Sequence, residues 1–231
     1  MGRGSAFASG DFDVWMLAQS WSPHFCCQQA DRCFTVPWAF SANHLSLHGL
    51  WPGFKAKRGD SFFPASCEKA QALMPAFLPR EYIDLAPSFT TWNAAEGRAD
   101  VGKLATHEWR KHGSCSGLTP EKYFSEALRA FQKLPGDRGT PKMLTDNVGG
   151  SVKTDALRRE YAKRVALKAD KSCRLTEVTS CFAKRADGML GEQVDCPDHT
   201  MQSRDTGERC GTLRITQLGQ CLANDGQKRK R

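Results

Sequence analysis

The chain has 231 residues, 40% of them hydrophobic, with 33 Lys and Arg against 25 Asp and Glu, a formal net charge of +8 and a sequence pI near 9.0. That length and apolar content fill one sizeable core. No stretch approaches the roughly 20 apolar residues that cross a bilayer, which excludes a helical membrane-spanning protein.

The positive balance should attract polyanions, nucleic acid and acidic membrane surfaces among them. Ten cysteines without the repeated Cys-x-x-Cys pairs of a zinc ribbon favour disulfides and an oxidising compartment. A secretory route should follow, yet MGRGSAFASGDFDVW has neither an apolar h-region nor a cleavage site, so the chain reads as truncated or mature-like. No Asn-x-Ser/Thr acceptor occurs. Residues 1–10 are expected to be a flexible lead-in, 11–223 the domain, and 224–231 a basic tail, with QKRKR at the end a solvated run.

In chain order, DFDVWMLAQSW (11–21) is rich in strand formers and alternates Phe12, Val14 and Met16 against Asp13, Trp15 and Leu17, which predicts a strand buried on both faces. Cys26, Cys27 and Cys33 follow in a loop. HLSLHGLWPG (44–53) predicts a second strand ended by Gly and Pro, with Leu45 and Leu47 on one face and His44, Ser46 and His48 on the other. Between 54 and 103, Pro64, Pro75, Pro79 and Pro87 break up helical pieces such as 66–75. A helix around 104–112 ends at Gly113. Thr119 as cap and Pro120 in the first turn open another, with Tyr123, Leu128 and Phe131 on its apolar side. The one-turn spacing of Leu157, Tyr161 and Val165 predicts a helix over 153–169 with Arg158, Arg159, Lys163 and Arg164 outside it. The last sixty residues turn strand-like in RLTEVTSCF and TLRITQL. Helices in the middle and strands at both ends give an α+β single domain, a mainly antiparallel sheet with packed helices, stabilised by disulfides.

HEWRKHGSC (107–115) holds two histidines, a glutamate and a lysine in six positions. A zinc helix of the His-Glu-x-x-His kind needs its histidines at i and i+4; here they are one residue further apart. At roughly 100° per residue, His107, Lys111, Glu108 and His112 fall at about 0°, 40°, 100° and 140°, and Trp109 at about 200°. The four polar groups therefore share one side, and the indole can be buried. This spacing disfavours a joint metal site and suits an anionic substrate, although a solvated amphipathic helix is the bland alternative.

LHGLWP with His48, and HEWRKHGSC with His107, Glu108, Lys111 and His112, resemble the two active-site segments of the ribonuclease T2 family in type, order and separation. FDVWMLAQSW, PEKYFSEALRAF and the late cysteine spacing extend the resemblance over most of the chain, more loosely at 54–103 and 135–170. The resemblance implies an endoribonuclease acting on single-stranded RNA without cofactor or metal, as a monomer with no obligate protein partner and no membrane insertion, in a secreted, periplasmic or vacuole-like compartment. It implies His112 as general base, His48 as general acid, His107 as a phosphate-binding group, and Glu108 and Lys111 as stabilisers of the pentacoordinate species. It also implies products that are first 2′,3′-cyclic phosphates and then 3′-phosphates. Trp51 matches an aromatic residue on which a base stacks. Pro87, Ser88 and Leu104 fall among the base-contacting positions, but Leu104 replaces an aromatic residue and Gly53 an Asp or Asn common in relatives, so broad base specificity is expected. The implied cystines are Cys26 with Cys33, Cys67 with Cys115, Cys173 with Cys210 and Cys181 with Cys196; Cys27 and Cys221 are left over, to pair or to leave one free.

The chemistry agrees with the residue types. Two imidazoles with ordinary pKa near 6.5 can take and give protons around neutrality, contributing about 10²- to 10⁴-fold each, and Lys111 can offset charge on the phosphorane. His24, His44 and His199 are expected to be surface or structural groups, with His44 on the same predicted strand face as His48. A non-catalytic polyanion-binding protein on the same scaffold is the alternative of another class.

Overall fold

The computed structural model describes residues 7–29, 33, 37, 39–67, 78–86, 91–93 and 98–220, without the side chains of 91–93 and 98–101. In chain order the elements are β1 (Val14–Trp21), α1 (Ser22–Gln28), β2 (Leu45–Gly53), α2 (Arg80–Leu85), β3 (Thr91–Asn93), β4 (Arg98–Asp100), α3 (Val101–Lys111), α4 (Pro120–Gln132), α5 (Lys142–Thr145), β5 (Ser151–Lys153), α6 (Thr154–Arg159), β6 (Ala166–Ala169), β7 (Leu175–Lys184), β8 (Leu190–Val194), α7 (Asp198–Arg204) and β9 (Thr212–Arg214). The central antiparallel sheet runs β2-β1-β7-β6, with β8 joining β7 beyond the end of β6. The fold is α+β, in one domain.

All eight residues of β1 are buried, because each face of this central strand has its own cover. Trp15, Leu17 and Trp21 enter the main core with Leu45, Leu47, Leu50, Tyr123, Phe124 and Phe131, which places the apolar side of α4 against the sheet. Burying each such side chain contributes about 1.5–3 kcal/mol. Val14, Met16 and Ala18 enter a smaller cluster on the other face with Trp51, Cys181 and Cys196. The polar atoms that burial would orphan find partners: Trp21 Nε1 donates to the Thr216 carbonyl at 2.8 Å, and the Tyr123 hydroxyl to the Leu50 carbonyl at 2.7 Å.

Three expectations change. The helix at 153–169 stops at Arg159, and 166–169 forms β6 against β7. Leu157, Tyr161 and Val165 are buried as a helical stripe would be, but sheet pairing claims the second half, and Arg158 turns inward to Asp205 (2.6 Å) and the Val165 carbonyl (2.9 Å). Residues 7–10 are tied to the body: Phe7 packs edge-on to Phe54, Ser9 bonds the Ser114 carbonyl, and the Gly10 amide the Cys115 carbonyl. Between β8 and β9 the sequence folds as α7, whose polar residues carry no apolar stripe to announce it. Thr119 stands at the N-cap of α4 as expected, without a side-chain capping bond. Most of the 66–75 piece lies outside the described residues.

Cystines join Cys26–Cys33, Cys67–Cys115, Cys173–Cys210 and Cys181–Cys196. Cys27 is disulfide-bonded as well; Cys221 lies outside the described residues.

Candidate active site

One irregularity in the sheet places the first histidine. In the β1–β2 register Ala18 faces Gly49 and Gln19 faces Leu47, so His48 is an extra residue, a β-bulge. Bulges re-aim side chains, and His48 is the one residue of β2 that is not fully buried. Its ring turns toward the face carrying Ser20, Glu177 and Trp51. Ser20 and Glu177 are paired across β1 and β7, and Trp51 stands opposite Met16.

The second group comes from α3 and the turn after it. Glu108 and His112 are buried, at 1% and 6% exposure, while His107 and Lys111 are exposed. The polar arc expected to face one cleft is thus divided along its length. Glu108 reaches His48, and His112 stacks on Trp51 beside it. His107 and Lys111 line a separate basic cavity of about 370 Å³ with Lys103, Arg110, Thr106 and Ser66. Trp109 is buried, as the helical angles require.

Trp51 joins the parts. Its Nε1 donates to Glu108 Oε2 at 2.6 Å; the His48 ring meets it edge-on at 5.3 Å between centroids, and the His112 ring stacks on it at 5.1 Å. Both imidazoles therefore lie against a single indole. Trp51 was expected to offer a face to a base, but it is only 6% exposed, since His112 and the guanidinium of Arg204 (4.5 Å) both lie against it. The exposed aromatic surface beside His112 is Phe63, 6.4 Å away and 38% exposed, next to Phe62.

The environment separates the two imidazoles. Burial pulls the His112 pKa down to about 2, helped by the charges of Lys111, His107, His48 and Arg204. Its Nδ1 is buried with no hydrogen-bond partner among the described residues, which leaves Nε2 for a substrate. Burial acts in the same direction on His48, but its hydrogen bond to Glu177 and the charges of Glu108 and Glu177 outweigh it and hold that ring above the ordinary histidine value. Glu108 Oε1 is 3.8 Å from His48 Nε2. Burial raises the Glu108 carboxyl, against the opposing pull of His48, Trp51, His107 and Lys111.

Three side chains at the site were not singled out by the sequence, Ser20 lying within FDVWMLAQSW and the other two outside any motif. Ser20 Oγ and Glu177 Oε2 stand 3.2 and 3.3 Å from His48 Nδ1, and Arg204 binds Glu177 Oε1 at 3.1 Å. The available signal was a lone acid in the otherwise buried strand LTEVTSCF. His48, Ser20 and Glu177 also border a cavity of about 450 Å³ that reaches His24, Lys168 and Asp170. Leu104 is half-buried on α3; Pro87 and Ser88 lie outside the described residues. His44 is engaged by Asp137, Asn43 and Phe40, away from these groups.

The profile of the Ribonuclease T2 family matches residues 12–196. The chain is 32% identical over 122 residues to Intracellular ribonuclease LX of Solanum lycopersicum, a match spanning 52% of this chain and 48% of that relative. To Ribonuclease I of Escherichia coli (strain K12) it is 29% identical over 189 residues, 72% of this chain and 70% of the relative. The structure of trichomaglin, described as an S-like ribonuclease, superposes with a TM-score of 0.61 at 18% identity, covering 90% of this chain and 99% of the other, a likeness of fold. Together these define an endoribonuclease. The chain belongs to the Ribonuclease T2 family. Its cystines suit an oxidising compartment.

Proposed function

We propose that the enzyme cleaves single-stranded RNA by internal transphosphorylation, with His112 as general base and His48 as general acid. The observation that carries this reading is the placement of both imidazoles against the Trp51 indole, one held neutral and the other favouring its proton. His112 takes the proton of a 2′-hydroxyl as O2′ bonds to phosphorus. The P–O5′ bond breaks and His48 gives its proton to O5′, leaving a 2′,3′-cyclic phosphate. Water then reverses the proton path: His48 removes a proton from it as its oxygen bonds to phosphorus, the P–O2′ bond breaks, and His112 protonates O2′ to leave a 3′-phosphate.

Glu108, enclosed between Trp51 and His48, holds the indole and faces the reacting centre. The exposed His107 and Lys111, with Lys103 and Arg110, supply positive charge where RNA phosphates approach. No step needs a metal. The enzyme acts as a monomer, without membrane insertion, in a secreted, periplasmic or vacuole-like compartment.

The test is product analysis on a defined oligoribonucleotide in excess EDTA. Cyclic phosphates that convert to 3′-phosphates are expected. Products with 5′-phosphates, or activity abolished by the chelator, would count against the mechanism.

A further inference from the structure

We infer that Glu177, held in place by Arg204, is a positioning residue for His48: it binds Nδ1 of the ring and so presents Nε2 to the scissile phosphate. The inference rests on the reading of His48 as the general acid and adds to it the group that sets the ring's orientation and tautomer. Glu177 lies 129 positions from His48. The sheet brings them together twice over, by pairing Ser20 with Glu177 across β1 and β7 and by bulging β2 at His48.

The geometry leaves the ring little choice. Glu177 Oε2 is 3.3 Å from Nδ1 and Ser20 Oγ 3.2 Å, while the opposite nitrogen, Nε2, is 3.8 Å from Glu108 Oε1 on the reacting side. A carboxylate accepts only, so Nδ1 must carry hydrogen to satisfy it. Glu177 is 7% exposed, and a buried carboxylate without compensation is costly. Its other oxygen takes the Arg204 guanidinium at 3.1 Å, and the same guanidinium rests on Trp51 at 4.5 Å. One arginine thus braces both the carboxylate behind His48 and the indole beneath it.

The charged groups facing His48 are Glu177 from β7, Glu108 from α3 and Arg204 from α7, with His112 beyond Trp51. Burial pushes the Glu177 carboxyl up, but the His48 bond and the charges of His48, Arg204 and Lys168 hold it below the usual carboxylate range, so it stays ionised. The consequence spans both steps of the reaction. Doubly protonated, His48 offers the Nε2 proton to O5′. Once that proton has gone, the Nδ1–H tautomer kept by Glu177 leaves an Nε2 lone pair aimed at the water of the second step.

Glu177→Gln and Glu177→Ala test this with a dinucleoside monophosphate. We expect kcat to fall about 10- to 100-fold with KM nearly unchanged, alanine being the more severe. The high-pH limb of kcat/KM should move to lower pH in both. The ¹⁵N shifts of His48 in the wild-type enzyme, read at high pH, should report a neutral ring protonated at Nδ1. A folded Glu177→Ala enzyme with wild-type kcat and an unmoved limb would overturn the inference. Should that variant not fold, an Nε2–H tautomer in the wild-type enzyme overturns it instead. His48→Ala separates the two levels: full activity there removes the general-acid reading itself, whereas an inactive His48→Ala beside an unaffected Glu177→Ala removes only the role of Glu177.

Discussion

The carboxylate of Glu108 lies directly over the α-carbon of Gly49. A β-carbon on Gly49 would sit 2.1 Å from Glu108 Oε2 and 2.7 Å from Trp51 Nε1, inside the hydrogen bond that joins them. The glycine of LHGLW is therefore a matter of space, and Gly49→Ala should force Glu108 and the indole apart. Loss of a buried bond to a charged group costs about 1.5–3 kcal/mol. We expect at least about a tenfold loss of kcat/KM, while Gly211→Ala, whose β-carbon meets nothing within 4 Å, should match wild type in the same assay.

Replacing either proposed proton-transfer group should reduce turnover by about 10²- to 10⁴-fold. His48→Ala and His112→Ala are expected to do so with wild-type circular dichroism. His44→Ala should retain turnover, since its ring engages Asp137, Asn43 and Phe40. Steady-state rates on a short oligoribonucleotide decide the matter; a fully active His112→Ala would remove that residue from the mechanism.

The pH profile of kcat/KM reports the free enzyme. The proposed mechanism requires His48 protonated and His112 neutral. Because His48 is held above 6.5 and His112 is drawn down to about 2, the rate should stay level from mildly acidic to neutral pH and fall only as pH rises through the His48 value. A narrow bell centred near pH 6.5 would contradict the separation of the two rings.

The Cys67–Cys115 bridge, with a sequence separation of 48, closes a loop that contains α3 and ends in the turn after it, beside the Ser66 amide bonded to the Lys111 carbonyl. Chain-entropy reasoning puts its contribution on the order of 4 kcal/mol. The Cys67→Ser/Cys115→Ser variant should lose about that much unfolding free energy in urea titrations and lose activity at temperatures where it remains folded, because the turn carrying His112 is released.

His24 is 3% exposed, and neither ring nitrogen has a hydrogen-bond partner among the described residues, with Asp170 3.9 Å away. Burial lowers its pKa; the Asp170 charge opposes this and that of Arg174 adds to it. The unfolded chain thus binds the proton more readily, and stability falls as pH drops below about 6.5 toward the folded value. His24→Phe removes this linkage and the unpaired nitrogens. Urea titrations at pH 7 and pH 5 should show a smaller loss on acidification for the variant than for wild type; equal losses would refute the assignment.

Alternation and turn residues in the sequence announced β1, β2 and β7, caps and apolar spacing announced α4, and two short segments announced His48, Glu108 and His112. These are local signals, and local chemistry dictates them. Helical angles at 107–112 placed four polar residues on one side facing one cleft, whereas the structure divides Glu108 with His112 from His107 with Lys111, because the limit of burial is set only by the packing around α3. The helix at 153–169 failed for the same cause: a stripe of Leu157, Tyr161 and Val165 fits helix and core alike, and pairing with β7 selected the strand.

The sequence by itself pointed to the class of chemistry through LHGLWP and HEWRKHGSC, whose residue types, order and separation resemble the two active-site segments of the ribonuclease T2 family. Tertiary structure decided which atoms meet. A bulge turns His48, a strand 129 positions later supplies Glu177, and a helix without an apolar stripe supplies Arg204. Contacts of that separation depend on sheet register and burial, which no local pattern encodes.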